Sequence, residues 1–307
     1  MRNDTILTAW EARLRTLLPT LRLRRNVPLR DLTSLRIGGP AALLAEPQTE
    51  EELSTLLRFC AEAEILPALL GAGTNVLVPD QGPAAALVIR TRGLDDVSVT
   101  GAGTILAGCG ASLAALALFA LREGRTGLEF AHGIPGTVGG GLYMNAGAYG
   151  GELGQTVQSV RFLHPDGTVE EIPGGEAEFA YRSSRFARMN GVILSGEFSV
   201  PEGDPEAIRA RMDELAQRRR SSQPLDLPSA GSAFKRPQTG YAAAMIEQAG
   251  LKGLRVGGAE VSTKHAGFIV NVDSATAEEV KELVRRVQEA VRDRFGVTLE
   301  PEIRFWP

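Results

Sequence analysis

The sequence predicts an α+β protein in which two lobes are followed by a smaller α+β domain. Residues 41–45 and 50–64 have the patterns of a strand and an amphipathic helix, and a glycine turn follows them. Residues 156–198 contain several short strands separated by turns, whereas residues 201–222 form one helix with a single apolar face. This change of pattern indicates a domain boundary near residue 201.

The first two lobes combine helices with short strands. Apolar residues recur at helical intervals in residues 8–18, and alanine and leucine dominate a predicted helix over residues 112–122. Between residues 84 and 105, short apolar runs alternate with glycine and aspartate, which is typical of strands joined by tight turns. Both lobes are therefore predicted to contain helices as well as strands.

The third domain is predicted from its helix end signals. Asp204 is placed to cap the helix that Pro205 begins, and residues 241–248 form a second helix. Residues 276–279, Thr-Ala-Glu-Glu, form a capping box for a third helix, which Gly296 ends. A strand over residues 267–272 completes a compact α+β unit, and residues 299–306 predict a last strand.

Four segments follow from this division. They are a first lobe, 1–85; a second lobe with a glycine-rich loop, 86–200; a third domain, 201–298; and a strand that returns to the first lobe, 299–307.

Composition excludes several classes of function. The chain has 307 residues and a formal net charge of −4, so it has no basic field for nucleic acid, and it has no apolar run long enough for a membrane span. Two cysteines and three histidines lack the spacing of a disulfide framework or a metal site. We therefore expect a cytoplasmic protein without a metal and without an obligate protein partner.

The glycine-rich stretch between residues 133 and 151 is the main indication of function. It contains eight glycines in nineteen residues, against 35 in the whole chain. Disorder is one explanation, but Ile134, Val138 and Leu142 are interleaved with the glycines, whereas flexible linkers carry polar residues instead. An ordered turn is favoured, in which glycines let backbone N–H groups approach a phosphate.

A second glycine turn, LGAGTN at residues 70–75, begins with the Gly-x-Gly of a dinucleotide fingerprint. Residues 76–79, however, have the pattern of a strand, whereas a Rossmann site requires a helix that begins at the glycines. A Rossmann site is therefore rejected. Two turns of this kind, about sixty residues apart, predict a diphosphate ligand held from two sides.

Five motifs in one order resemble a known enzyme family. LGAGTN is followed by HGIPGTVGGGLYMNAGAYG, FAYRSSRF, AGSAFKRP and LEPEIRF. This pattern, which extends from about residue 28 to residue 306, is similar to that of the UDP-N-acetylenolpyruvoylglucosamine reductases. These flavoenzymes make UDP-N-acetylmuramate for peptidoglycan. The resemblance implies NADPH as reductant, FAD as cofactor, and the FAD-binding fold of the vanillyl-alcohol oxidase group.

The same resemblance implies which residues bind the cofactor. Neither glycine turn carries a cysteine or histidine tether, so we expect non-covalent FAD. The residues that match the family's cofactor-binding positions are Gly71, Gly73, Thr74, Asn75, Gly133, Ile134, Pro135, Gly136, Thr137, Gly140, Asn145 and Ile193.

Three residues match the family's catalytic positions. From the residues alone, Ser232 is a turn serine, Arg182 a surface charge at a strand end, and Glu302 a partner of Arg304 on a strand face. The resemblance implies that Ser232 donates a proton, that Arg182 holds the substrate carboxylate, and that Glu302 supports the enol intermediate. The choice of Glu302 over Glu300 depends on the motif alone.

Four basic residues are candidates for the substrate's diphosphate, namely Lys235, Arg236, Lys264 and His265. The alternative is that these four side chains are ordinary solvated surface residues that bind no ligand. The chain after Ser232 is too short for the insert found in a longer form of the family, which also has an extra loop bearing a tyrosine. The sequence therefore resembles the shorter form.

Two other functions remain open at this stage. The first is a different FAD-dependent oxidase of the same fold, with molecular oxygen as acceptor. The second is a non-catalytic nucleotide-binding protein whose glycine turns only hold a ligand.

Overall fold

The computed structural model describes residues 2–101 and 103–307, which group by their contacts into two units. The first unit comprises the chain up to Arg25, Ala42–Ala72 and Ala85–Gln217. The second comprises Asn26–Ala41, Gly73–Ala84 and Arg218–Pro307. The four segments predicted from the sequence have other limits, and as domain boundaries they stay a prediction.

Among its described residues the first unit contains four helices and most of a fifth, which ends in the second unit, and all but the fourth confirm helices predicted from the sequence. They are α1 (Arg2–Leu17), α2 (Glu50–Glu62), α3 (Leu113–Arg122), α4 (Val138–Met144) and α5 (Pro205–Ser222). Thr49 and Ser112 cap α2 and α3 by accepting backbone N–H groups of Glu52 and Ala115. The Asp204 carboxylate accepts the Glu206 N–H at 3.1 Å, as expected of the predicted cap.

Two sheets accompany these helices. A four-stranded sheet has the order β1 (Arg22–Pro28), β2 (Pro40–Glu46), β5 (Leu87–Arg90), β3 (Ala68–Leu70). Its strand β5 is parallel to both β2 and β3, which α2 connects. An antiparallel five-stranded sheet has the order β11 (Val169–Pro173), β10 (Val157–Leu163), β12 (Val192–Phe198), β7 (Ile105–Gly108), β6 (Val97–Val99). Fully buried residues such as Leu53, Phe59 and Phe162 belong to the core of this unit.

Part of the glycine-rich stretch, Val138–Met144, forms a helix, where the sequence predicted a turn. A 3₁₀ segment, Glu129–Gly133, precedes α4, which includes Gly139 and Gly141. Glycine has poor helix propensity, but tertiary packing excludes larger residues here. A Cβ on Gly139 would lie 2.9 Å from the Cys109 Cβ, and one on Gly141 would lie 2.8 Å from a methyl group of Leu153. Close packing therefore explains part of the glycine density.

Besides the last turn of α5, the described residues of the second unit contain two helices, α6 (Ala242–Gln248) and α7 (Ala277–Phe295). Its antiparallel sheet has the order β13 (Ser229–Ser232), β16 (Phe268–Asn271), β15 (Ala259–Val261), β14 (Arg255–Val256). The predicted capping box of Thr276 and Glu279 is confirmed, and Gly296 ends α7 with a φ of 68°.

Side-chain hydrogen bonds explain why two early segments group with the C-terminal residues. The Asn271 amide donates to the Leu35 carbonyl at 2.9 Å, and the Asp80 carboxylate accepts the Ala277 N–H at 3.0 Å. The second bond satisfies an N–H group in the first turn of α7, which has no acceptor inside the helix.

The predicted last strand returns to the segment after the first glycine turn, but it is shorter than predicted. Only β17 (Arg304–Phe305) forms a strand, parallel to β4 (Val76–Leu77). Pro301 interrupts the segment because proline has no N–H for a ladder, and it forms an isolated bridge with Phe234 instead.

A short hairpin of β8 (Gly147–Ala148) and β9 (Gly151–Glu152) completes the elements of the first unit. Among the described residues, no helix is long and apolar enough to cross a membrane. The same residues contain no group of three or more histidine, cysteine or acidic side chains placed to hold a metal ion.

Candidate active site

The loop after β3 and the loop before α4 meet in the first unit. A Cβ built on Gly71 would lie 2.5 Å from the Thr137 Oγ1, a distance that no ordinary contact allows. Thr137 is 1% exposed and caps α4, since its hydroxyl oxygen accepts the Gly140 N–H at 3.3 Å. The two glycine turns thus approach each other at Gly71, where the first turn has no room for a side chain.

Backbone N–H groups at this point divide into two classes. Those of Val138 and Gly139, in the first turn of α4, donate to the Ala111 and Cys109 carbonyls at 2.8 and 2.9 Å. In contrast, the N–H groups of Ala72, Gly136 and Thr137 have no acceptor within residues 2–101 and 103–307. Since unpaired N–H groups in glycine loops can bind anions, the N–H groups available to an anion here are those of the loops and not those of Val138 and Gly139 in the helix.

Gly73 and Asn75 belong to the second unit, and both have structural contacts there. Gly73 has a φ of 68°, and a Cβ on it would lie 2.2 Å from the Leu32 carbonyl oxygen. The Asn75 amide donates to the Glu302 carbonyl at 3.1 Å, and the Asn75 carbonyl accepts the Arg304 N–H at 3.0 Å. The end of this turn is therefore fixed to the C-terminal segment.

The remaining residues predicted to bind the cofactor differ in how far they are exposed to solvent. Thr74, Gly133, Ile134 and Gly136 are half-buried, Pro135 and Gly140 are exposed, and Ile193 is buried on β12 opposite Phe162. An exposed Gly140 in the first turn of α4 leaves the surface of the helix free of side chains there.

Arg182 lies in a tight turn and not at a strand end. Ala180 and Ser183 exchange two backbone hydrogen bonds, of 3.0 and 3.1 Å, around it, and Arg182 has a φ of 53°. Its guanidinium lies 5.1 Å from the centre of the Tyr181 ring and donates from Nη2 to the Gly147 carbonyl at 2.9 Å. The guanidinium is thus held between a neighbouring ring and the β8–β9 hairpin.

The side chain of Asn145 is engaged entirely with backbone groups. This residue ends α4 with a left-handed φ of 44° and is 0% exposed. Its Nδ2 donates to the Ala180 carbonyl at 3.1 Å, and its Oδ1 accepts the Gly154 N–H at 2.9 Å. The fully buried Ser184, which the sequence analysis missed, donates to the Tyr143 carbonyl at 2.8 Å. No motif distinguishes that serine from the adjacent Ser183.

Ser232 and Glu302 come together in the second unit. Ser232 ends β13 opposite Phe268, and its exposed hydroxyl has no hydrogen-bond partner in the part of the chain that the structure describes. The next residue, Ala233, donates to the Gly267 carbonyl at 2.8 Å and accepts the Glu302 N–H at 2.9 Å. Main-chain bonds therefore fix Ser232 and Glu302 close to each other along two adjacent segments.

The four basic candidates differ in what they contact. Lys235 forms an ion pair with Glu300, and the Arg236 guanidinium lies 4.2 Å from the centre of the Tyr241 ring. Lys264 donates to the Arg220 carbonyl at 2.8 Å. These contacts orient all three side chains.

His265 is half-buried and favours the neutral form. Burial lowers the pKa of this imidazole below its ordinary value. Its Nδ1 accepts the Gly267 N–H at 3.1 Å, so the proton of the neutral ring is on Nε2. His265 can accordingly donate one hydrogen bond near neutral pH, but it contributes little charge.

Comparison with known proteins gives two family matches. Residues 41–173 match the model described as an FAD binding domain, and residues 223–306 match that described as the UDP-N-acetylenolpyruvoylglucosamine reductase C-terminal domain. These matches confirm the predicted α+β architecture of an FAD-binding region followed by a smaller domain.

Whole-chain relatives agree with these matches. The chain is 43% identical over 286 residues to the UDP-N-acetylenolpyruvoylglucosamine reductase of Limosilactobacillus reuteri, covering 93% of this chain and 95% of that one. It is 46% identical over 286 residues to UDP-N-acetylenolpyruvoylglucosamine reductase 2 of Symbiobacterium thermophilum, covering 93% and 92%. The crystal structure of the Thermus caldophilus reductase matches with a TM-score of 0.81 and 38% identity, over 94% of this chain and 100% of that one.

Proposed function

The chain belongs to the UDP-N-acetylenolpyruvoylglucosamine reductase family, and we propose that it reduces the enolpyruvyl group of UDP-N-acetylglucosamine enolpyruvate. The product is UDP-N-acetylmuramate, a peptidoglycan precursor, and NADPH is the reductant. The substrates of this reaction are a UDP-sugar and a reduced nucleotide, which supports a cytoplasmic location as part of the proposal.

The observation that carries this proposal is the approach of Gly71 to Thr137 beside three unpaired N–H groups. This arrangement fits the diphosphate of FAD, since only a backbone without side chains comes so close to an anion. Both cysteines are buried, and burial raises the pKa of each to about 12, which disfavours a reactive thiolate that would tether the cofactor. Bound FAD supplies hydride transfer from NADPH to the substrate.

Arg182 would bind the substrate carboxylate and stabilise negative charge as it develops on the oxygens. A guanidinium suits this role because it donates two parallel hydrogen bonds to a carboxylate. The turn that places Arg182 has its own hydrogen bonds, so the position of the backbone does not depend on substrate.

Ser232 would donate the proton that completes the reduction. A hydroxyl is a weak acid, but a carbanion-like carbon is a strong enough base to take its proton. The exposure of Ser232 and its short main-chain connection to Glu302 support this assignment. Glu302 would support the enol intermediate beside the serine.

The diphosphate of the UDP-sugar would be bound by the basic side chains of the second unit. Arg236 and Lys264 supply positive charge, and Lys235 would have to exchange its contact with Glu300 for a phosphate oxygen. His265 would contribute a hydrogen bond from Nε2.

An anaerobic absorbance experiment tests the reaction. The purified protein, loaded with FAD, should lose its flavin absorbance on addition of NADPH and regain it on addition of the enolpyruvyl substrate. Recolouring by oxygen alone, with no response to the substrate, would indicate an oxidase of the same fold. A protein that stays colourless after incubation with FAD would indicate a nucleotide-binding protein without catalysis.

A further inference from the structure

The turn that carries Arg182 adopts a backbone conformation that a non-glycine residue avoids. Arg182 has a φ of 53°, in the left-handed region where a Cβ approaches the following carbonyl oxygen. Strained conformations of this kind persist only where surrounding contacts determine them, and they are common at functional sites. Contacts from outside the turn are therefore required to hold it.

Asn145 supplies such contacts on the N-terminal side of the turn. Its amide joins the Ala180 carbonyl, which closes the turn, to the Gly154 N–H, which follows the β8–β9 hairpin. The same hairpin contains Gly147, whose carbonyl accepts the Arg182 guanidinium. One buried side chain thus connects the base of the turn to the structure that orients the arginine side chain.

The local packing leaves little freedom for this connection. A Cβ on Gly154 would lie 2.7 Å from the Phe179 Cβ and 3.1 Å from the Asn145 Oδ1. On the C-terminal side of the turn, the Ser184 hydroxyl donates to the Tyr143 carbonyl. Both supports come from the C-terminal end of α4, since Tyr143 lies in its last turn and Asn145 is its C-cap.

We propose that Asn145 is a positioning residue for Arg182 and not a ligand of the cofactor. This inference rests on the proposed function, because the consequence of positioning Arg182 is measured through the substrate. Both polar atoms of the Asn145 side chain are already engaged, and the residue is 0% exposed, so the amide is not available to a bound molecule.

Asn145→Gly tests the inference with the least disturbance of the backbone, since glycine adopts a left-handed φ readily. The variant loses both side-chain bonds. FAD affinity and the rate of flavin reduction by NADPH should stay within about twofold of wild type. Flavin reoxidation by the enolpyruvyl substrate should fall by about tenfold to a hundredfold, because a misplaced catalytic group has an effect of this size.

Asn26→Gly is the matched control. Asn26 has a similar φ of 52° but is exposed on β1, so the same substitution removes no buried support. This variant should behave as wild type in all three measurements. If Asn145→Gly instead lowers FAD affinity and leaves substrate reoxidation unchanged, Asn145 is a cofactor residue and the inference is wrong.

A double variant separates positioning from general destabilisation. If Asn145 acts through Arg182, adding Asn145→Gly to Arg182→Ala should cause no further loss of reoxidation rate beyond that of Arg182→Ala alone. Independent, multiplicative losses would contradict the inference. If Arg182→Ala itself leaves reoxidation unchanged, the proposed function of the arginine fails, a result distinct from failure of the Asn145 inference.

Ser184→Ala provides a second approach if Asn145→Gly does not fold. It removes the support on the other side of the turn, the hydrogen bond to the Tyr143 carbonyl. Ser184→Ala should also slow flavin reoxidation by the substrate, and it should cause no further slowing in the Arg182→Ala background. Equal losses in both backgrounds would show that the end of α4 does not act through Arg182.

Discussion

The glycine loops of the first unit and the Ser232 segment of the second unit present their chemistry in opposite ways. At Gly71 and Thr137 the available groups are backbone N–H groups, and no side chain fits on Gly71. At Ser232 the available group is an exposed side chain, whereas the main chain is engaged in hydrogen bonds on both neighbouring segments. A substitution at Gly71 should therefore act through the volume of the added side chain, whereas a substitution at Ser232 should act through the loss of its hydroxyl group.

Ser232→Ala should have the largest effect, confined to one half of the reaction. The hydroxyl has no partner in the described structure, so its loss should leave the fold, FAD content and NADPH oxidation unchanged. Substrate binding should weaken by at most about tenfold, the equivalent of one hydrogen bond of roughly 0.5–1.5 kcal/mol. Reoxidation by substrate should slow by about 10²–10⁴-fold, the usual contribution of a general acid.

Stopped-flow absorbance resolves the two halves of the reaction in this variant. Normal reoxidation by substrate combined with slow reduction by NADPH would contradict the role given to Ser232. Arg182→Ala provides the contrast, because a carboxylate is present before and during the reaction. That variant should weaken both substrate binding and reoxidation.

Gly71→Ala should have the next largest effect, and it should appear in cofactor binding. The added Cβ would lie 2.5 Å from the Thr137 Oγ1, so the Thr137 side chain or one of the two loops must shift. The loss of one hydrogen bond to a charged group, about 1.5–3 kcal/mol, corresponds to a Kd for FAD raised by roughly tenfold to a hundredfold. Fluorescence titration of the apo-protein with FAD measures this change.

Gly175→Ala is the control for that measurement, since a Cβ on Gly175 would have no neighbour within 4 Å. It should bind FAD as wild type does. Equal affinities in the Gly71 and Gly175 variants would show that the contact between the two glycine loops does not shape the cofactor site.

His265→Gln should have the smallest effect, a change in the pH dependence of stability. Burial lowers the pKa of His265 in the folded state, so the unfolded chain takes up a proton first as pH falls below 6.5. The free energy of unfolding should thus decrease from pH 6.5 downward through the lowered pKa, and this contribution should be constant above 6.5. Glutamine cannot titrate and should remove it.

Denaturant unfolding of both proteins at about pH 7.5 and about pH 5 measures the difference. Wild type should lose more stability than His265→Gln between these two conditions. An identical loss in the two proteins would show that protonation of His265 is not coupled to folding.

The difference between the two regions also explains how much the sequence could predict. Glycine density and interleaved apolar residues predicted an ordered anion-binding loop on physical grounds, because a backbone site requires glycine at particular positions. Ser232 could be assigned only through the family resemblance, since a serine in a small-residue loop has no distinguishing pattern. The helical form of residues 138–144 was missed because Cys109 and Leu153, which select glycine there, are distant in sequence.

The contacts that surround Arg182 could not be predicted from the sequence either. The FAYRSSRF motif identified Arg182 as a candidate site residue. The left-handed φ of Arg182 and its hydrogen bond to the Gly147 carbonyl, however, depend on contacts between separate segments. The family resemblance implies that Asn145, within the glycine-rich motif, binds the cofactor. Proximity along the chain placed it with the glycine loop, whereas its hydrogen bonds reach 35 residues onward, to Ala180.

The connection between Asn75 and Glu302 has a consequence for how the protein is made. This hydrogen bond spans 227 residues, and the β4–β17 pair beside it has a similar span. At a translation rate of about 5–20 residues per second, a ribosome needs roughly 10–45 s to supply the second partner after the first has been made. The first unit, which extends to Gln217, can fold within that interval, whereas Leu35, Ile37 and Leu77 belong to a core whose other buried members lie between Ala230 and Ile303. Vectorial synthesis therefore leaves these three residues without most of their core, and open to chaperones and to aggregation, until residues 230–303 have been made.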